Sequence, residues 1–168
     1  MIHVCSLARL HATVETTGAG HVVTLLKDTD RVERPRTILE ANHLILGMDD
    51  ISAPLDGYVM PGDEHVRRLI AFALGWDRRR PMVVHCYAGI SRSTAGAYVA
   101  ACALNPRRDE AAIAYELRRA SPTATPNARI VSLADEVLGR GGRMVAAIDA
   151  IGRGEMAYEG VPFRLDLE

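Results

Sequence analysis

Pro81-Met82-Val83-Val84-His85-Cys86-Tyr87-Ala88-Gly89-Ile90-Ser91-Arg92-Ser93 is the stretch from which the fold can be argued. Its opening, Pro81 to His85, is a short apolar run headed by proline and rich in β-branched side chains, which reads as a buried parallel strand. From Ser93 to Leu104 the chain is mostly good helix formers, and Asn105-Pro106 supplies a stop. A loop caught between the end of a strand and the N-terminus of a helix has free backbone N–H groups and the positive end of the helix dipole pointing outward together. An oxyanion there is held by main chain before any side chain acts. Tyr87, Ala88, Gly89, Ile90 and Ser91 are therefore expected to cradle a phosphate, with Gly89 allowing unusual φ and close approach.

The side chains around this cradle supply chemistry. A free cysteine titrates at about pH 8.5, but at a helix N-terminus beside cations its thiolate is stabilised, and Cys86 sits in that position. Arg92, at the first turn of the helix, can bind two phosphate oxygens with its planar fork, which a lysine cannot do. Ser93 can donate its hydroxyl to the sulfur when sulfur must leave as an anion. The alternative for Cys86 is a buried core thiol; the glycine, the arginine and the strand-to-helix setting at the same place argue for the nucleophile.

Cys-x5-Arg preceded by His85 and followed by Ser93 resembles the signature of the cysteine-dependent protein tyrosine and dual-specificity phosphatases. Ala88-Gly89-Ile90-Ser91-Arg92-Ser93 is similar to the wording of the dual-specificity branch, as is Pro126-Asn127 ahead of an apolar-periodic helix. The resemblance spans about residues 42 to 138. It implies a phosphocysteine intermediate, a general acid on an upstream loop, and a supporting role for His85 and Asn127. The plainer readings are a core histidine for His85 and a helix N-cap for Asn127.

Cleaving a phosphate ester leaves an alkoxide or phenoxide, so a carboxylic acid over the site should protonate that oxygen. Asp50, Asp49 and Asp56 precede Cys86 by 36, 37 and 30 positions. The resemblance implies an acid about 30 to 36 residues before the cysteine, which leaves the choice open. Asp50 ranks first because Leu-Ile-Leu-Gly-Met-Asp-Asp reads as a strand running into its acid; Asp56 is second, and Asp49 reads also as a cap. Asp56-Gly57 is equally a common turn pair. Cys5 and Cys102 read as packing residues, with a redox partnership to Cys86 as the sharper alternative.

Composition narrows the rest. A chain of 168 residues suits one domain, 1–168. A net charge of −1 argues against nucleic-acid binding. The longest apolar run, Ala95 to Leu104, is too short to span a bilayer, and His3 and Arg9 interrupt any opening signal-like stretch. Three cysteines, an odd count without metal spacing, imply a reducing cytoplasm, and the expected chemistry implies no metal or other cofactor. Lys27 is the one lysine beside many alanines, which suggests a GC-rich bacterial genome.

Periodicity sets out the elements. Strands are expected at Ile2 to Leu7, His21 to Leu26 and Asn42 to Met48, and helices at Ala8 to Thr17 and from Pro61 to Trp76. The latter should bury Val66, Leu69, Ile70, Ala73 and Leu74. A loop covers Asp28 to Arg36 and a weak helical turn follows. Beyond the central helix come helices at Asp109 to Arg119, Asn127 to Leu138 and Met144 to Ile151. The tail alternates on Val161, Phe163, Leu165 and Leu167 as a strand against the body. Arg78 to Arg80, Arg107-Arg108 and Arg118-Arg119 read as solvated helix ends. The expected fold is α/β, dual-specificity-phosphatase-like, with a mainly parallel sheet of four or five strands flanked by helices.

The expected activity is phosphomonoester hydrolysis on phosphotyrosine or phosphoserine/threonine proteins, or on a small phosphomonoester. A lipid or inositol phosphate is the runner-up, disfavoured because Tyr87, Ala88, Ile90 and Ser91 include no lysine. A thiol-based sulfurtransferase or oxidoreductase comes third, since it would leave the upstream acid idle.

Overall fold

The computed structural model describes residues 1–28 and 30–167. Position 29, in the expected loop 28–36, and position 168 lie outside the described residues. Five strands, β1 (Ile2–Ser6), β2 (His21–Leu26), β3 (His43–Gly47), β4 (Met82–Cys86) and β5 (Phe163–Leu165), form one sheet in the order β3-β2-β4-β1-β5. The three inner pairings are parallel; β5 runs antiparallel to β1. The sheet is thus mainly parallel and mixed at one edge.

Helices cover both faces, which is what parallel strands require. On one side lies α1 (Leu10–Thr17), reached through a 3-10 turn at Leu7–Arg9, over Cys5, Val22, Ile38 and Val83. On the other lie α2 (Asp63–Gly75), α3 (Arg92–Leu104), α4 (Glu110–Ala120), α5 (Ala128–Val137) and α6 (Arg143–Ile151), packed on Ile2, Val4, Val23, Leu25 and Val84. All five residues of β4 are buried, and so is every residue of α3, which explains their nearly unbroken apolar sequences. Met82, Val84 and Cys86 face the α3 side while Val83 and His85 face α1, the two-residue alternation of a strand.

Three expectations need correction. Leu74 is 58% exposed; on α2 it lies about 90° from the centre of the stripe made by Val66, Leu69, Ile70 and Ala73, outside the part that meets the core. The tail pairs with β1 only over Phe163–Leu165, and Val161 is exposed. Arg118 is no solvated helix end: it donates to the carbonyls of Pro122, Ala124, Gly152 and Arg153, so it clamps the turn after α4 to the segment leaving α6. The weak turn expected after Pro35 appears as a 3-10 turn at Glu40–Asn42, next to β3.

The connections create a crevice. β1 and β4 are neighbours, yet β1 leads to α1 on one face and β4 leads to α3 on the other. Where connections of adjacent parallel strands part to opposite faces, the sheet opens at the carboxyl ends of its strands. The loop 87–91 leaves the sheet there.

Candidate active site

β4 ends on Cys86 and α3 begins on Arg92, so five residues turn the chain between them. Four of their carbonyls point outward and are taken up. Tyr87 O accepts from Leu7 N–H (3.1 Å), Ala88 O from Gly160 N–H (2.8 Å), Ile90 O from Thr125 N–H (2.9 Å) and Ser91 O from Asn127 N–H (3.3 Å). The Thr94 hydroxyl adds a bond to Ile90 O at 2.6 Å. In a trans peptide the N–H opposes its carbonyl, so the amides of Ala88, Gly89, Ser91 and Arg92 turn away from these partners, toward the inside of the loop. One of them shows the direction: Gly89 N–H donates to Cys86 Sγ at 3.3 Å.

Gly89 is required twice over. Its φ is +74°, and a Cβ there would stand 2.8 Å from the backbone carbon of Cys5 and the nitrogen of Ser6. Cys86 Sγ also lies 3.1 Å from Ser93 Oγ; the thiol donates to that oxygen, and with a thiolate the same contact runs from the Ser93 hydroxyl to sulfur. Arg92 is 7% exposed and donates from one terminal nitrogen to Met48 O at 2.8 Å. Its Nε–H is buried with no hydrogen-bond partner among the described residues, and it makes no ion pair there. Buried guanidinium donors are costly unless an acceptor takes them, and the inside of this loop is where an anion could do so.

The three aspartates are placed differently. Asp50 Oδ1 accepts from the Ser91 hydroxyl at 2.7 Å and from Asn127 Nδ2 at 2.9 Å, so this carboxylate stands against the rim of the loop. Both bonds go to one oxygen, Oδ1. Asp49 bends inward to its own loop: its N–H donates to Val59 O and its Oδ2 accepts from Val59 N–H, both at 2.8 Å. Asp56 is exposed in the turn before Gly57, whose φ is +81°.

The architecture can now be set beside known proteins. No family model matches the chain, and no curated protein gives a significant sequence match. Solved structures do match. A Cydia pomonella phosphatase, PTP-2, superposes with a TM-score of 0.61 at 20% identity over 80% of this chain and 84% of its own. The human tyrosine phosphatase-like serine/threonine/tyrosine-interacting protein gives 0.61 at 18% identity over 83% and 92%, and DUSP15 gives 0.61 at 15% over 89% and 90%. The fold is that of the tyrosine and dual-specificity phosphatases.

On this phosphatase fold the remaining marked residues have definite surroundings. His85 is fully buried on the face away from Cys86's side chain, and burial holds its imidazole down at about 4. Its Nε2 is 2.7 Å from Thr24 Oγ1, which is 2.8 Å from His43 Nε2, and its Nδ1 is 3.4 Å from Cys86 O. One proton assignment satisfies all three contacts: Nδ1–H donates to Cys86 O, the Thr24 hydroxyl donates to His85, and His43 donates to Thr24. Asn127 fills both of its readings. Its Oδ1 caps α5 by accepting from Arg129 and Ile130 N–H, while its Nδ2 reaches Asp50 and, at 3.2 Å, Ile51 O. Cys5 faces α1 across the sheet from Cys86, and burial pushes its thiol up to about 11; Cys102, two turns along α3 from Gly96, is pushed up to about 12 by burial. With side chains on opposite faces of the sheet, Cys5 and Cys86 lack disulfide geometry.

Sequence reading missed the outer partners of the loop: Leu7, Gly160, Thr125 and the Met48 carbonyl, and Thr24 with His43. Thr24 left one trace, a polar residue in the apolar run of β2. His43 left a similar one, a histidine opening β3; the others act through main chain, which leaves none.

Proposed function

We propose that the chain hydrolyses phosphomonoesters of protein side chains, phosphotyrosine or phosphoserine/threonine, through a phosphocysteine. The Cys86 thiolate attacks phosphorus as the bond to the leaving oxygen breaks; the loop amides and the Arg92 guanidinium hold the equatorial oxygens; Asp50 gives its proton from Oδ2 to the departing oxygen. Asp50, now a carboxylate, takes a proton from water as that water attacks phosphocysteine, and inorganic phosphate leaves while Ser93 donates to the returning sulfur anion. Asn127 and Ser91 orient the acid. The reading is carried by one observation: Cys86 Sγ, at the N-terminus of α3, meets the inward Gly89 N–H and the Ser93 hydroxyl near a buried arginine whose Nε–H has no partner among the described residues.

A protein substrate is favoured over an inositol phosphate because Tyr87, Ala88, Ile90 and Ser91 add no cation to the loop. A sulfurtransferase or thiol oxidoreductase has no second thiol facing Cys86. The test is turnover of an aryl phosphate by Cys86→Ser: the rate should fall below about a hundredth of the parent's while phosphate still binds. A variant retaining a tenth of the parent rate would remove Cys86 from the mechanism.

A further inference from the structure

The crevice between β1 and β4 holds more than the catalytic loop. A depression of ≈410 Å3 beside it is lined by Leu7 and Ala8, which follow β1, by Tyr87 and Ala88, which follow β4, and by Tyr158 and Glu159 of the C-terminal segment. That third wall is fastened in place. Gly160 N–H bonds Ala88 O at 2.8 Å, and Glu159 Oε1 accepts from the Ser6 hydroxyl at 2.5 Å and lies 3.8 Å from Arg9 Nε. Leu7, Ala8 and Ala88 make the lining aliphatic, two tyrosines add aromatic surface, and Glu159 is the one ionisable carboxylate.

Exposed apolar surface gathers at the same place. Of the twelve large apolar side chains exposed among the described residues, four lie on the loop or on the C-terminal segment that bonds to it. Leu55, Tyr58 and Val59 stand on the segment after Asp50, Tyr87 on the loop itself, and Met156, Tyr158 and Val161 on the C-terminal segment. Tyr158 is fully exposed. Contiguous apolar surface left in water marks an interaction site, and tyrosines suit one because they offer large rigid contact at small entropy cost.

We propose that this crevice is a specificity subsite, taking an aliphatic or aromatic side chain one or two positions from the phosphorylated residue of a protein substrate. The proposal rests on the phosphatase reading and sharpens it. Reach is suggested by the chain: Tyr87 and Ala88, two of the lining residues, are the first two after the nucleophile, so the depression adjoins the loop that would seat the phosphate, and consecutive Cα atoms in a substrate are ~3.8 Å apart. Charge sets the class. The Glu159 carboxylate, only partly offset by Arg9 at 3.8 Å, disfavours an acidic neighbour or a second phosphate, polyphosphorylated headgroups included.

The experiment compares two phosphopeptides identical except for leucine or serine next to the phosphoresidue, with an aryl phosphate assayed alongside. The leucine peptide should have a kcat/KM about tenfold higher, Tyr158→Ala should bring that ratio close to one, and Glu159→Gln should raise turnover of a third peptide carrying aspartate there. Equal kcat/KM for leucine and serine in the parent, or an undiminished ratio in Tyr158→Ala, overturns the subsite while aryl phosphate turnover leaves the phosphatase reading standing. Absence of aryl phosphate turnover overturns the phosphatase reading first. Two other occupants would also overturn the proposal: a lipid, if Tyr158→Ala slows release of phosphate from phosphoinositide vesicles and not from peptides, or a second copy of this chain, if sedimentation shows a dimer that Tyr158→Ala dissociates.

Discussion

Asp50 and His85 show how much one residue's surroundings decide. Asp50 Oδ1 is tied to Ser91 and Asn127, and in the proposed mechanism the proton that Asp50 gives matters in proportion to how badly the leaving oxygen needs it. Asp50→Asn should lose about 100-fold in rate on phenyl phosphate and far less on a nitrophenyl phosphate, whose leaving group is stable as an anion. Rates across a leaving-group series measure this; the same dependence in Asp56→Asn instead would move the acid to Asp56. His85 acts on stability. Above pH 6.5 its ring is neutral folded and unfolded; between 6.5 and about 4 the unfolded chain binds a proton that the buried ring refuses. Stability therefore falls as pH falls through that window, by about 3 kcal/mol at its lower end. Urea unfolding at pH 7, 5.5 and 4.5 should show the parent losing stability more steeply than His85→Gln; parallel slopes would count against a neutral buried ring.

At the scale of elements, α5 is coupled to Asp50, the proposed acid, through its N-cap residue. Asn127 Oδ1 accepts from Arg129 and Ile130 N–H, and its amide nitrogen holds Asp50 and Ile51. Two substitutions separate these jobs. Asn127→Ala should cost about 1 kcal/mol through the lost cap and also lower turnover. Asn127→Asp keeps a cap of similar quality but has no N–H for Asp50 and places a like charge beside it, so its thermal midpoint should stay near the parent's while turnover of phenyl phosphate falls about tenfold. A parental rate in Asn127→Asp would show that the bond to Asp50 is incidental. The α6 N-terminus is held in a related way: Asp135, on α5, accepts from Gly142 N–H at 2.6 Å and Met144 N–H at 2.7 Å, which locks the last two helices together.

Across the whole molecule, the loop 87–91 is shaped by segments remote in sequence, Leu7 from one end of the chain and Gly160 from the other. A Cβ on Gly160 would meet Gly89 O at 2.7 Å, backbone against backbone, with no rotamer to relieve it. Gly160→Ala should therefore displace the segment, weaken vanadate inhibition and lower aryl phosphate turnover about tenfold, with the midpoint of unfolding little changed because Leu165 remains buried in β5. An unchanged vanadate inhibition constant would mean the loop keeps its shape without Gly160. The loop itself was legible in the sequence because its working parts, Cys86, Gly89, Arg92 and Ser93, lie within eight consecutive positions, where covalent spacing and a strand-to-helix change of period leave little freedom. The parallel strands and the helices were legible for the same reason, since their periods are local. Tertiary structure alone decided which of three nearby aspartates meets Ser91 and Asn127, 41 and 77 positions away, that Thr24 and His43 back His85, and that the tail supplies an antiparallel edge and a wall of the site. Those outcomes depend on strand register and on which surfaces pack together, and neither is written in the spacing of any one segment.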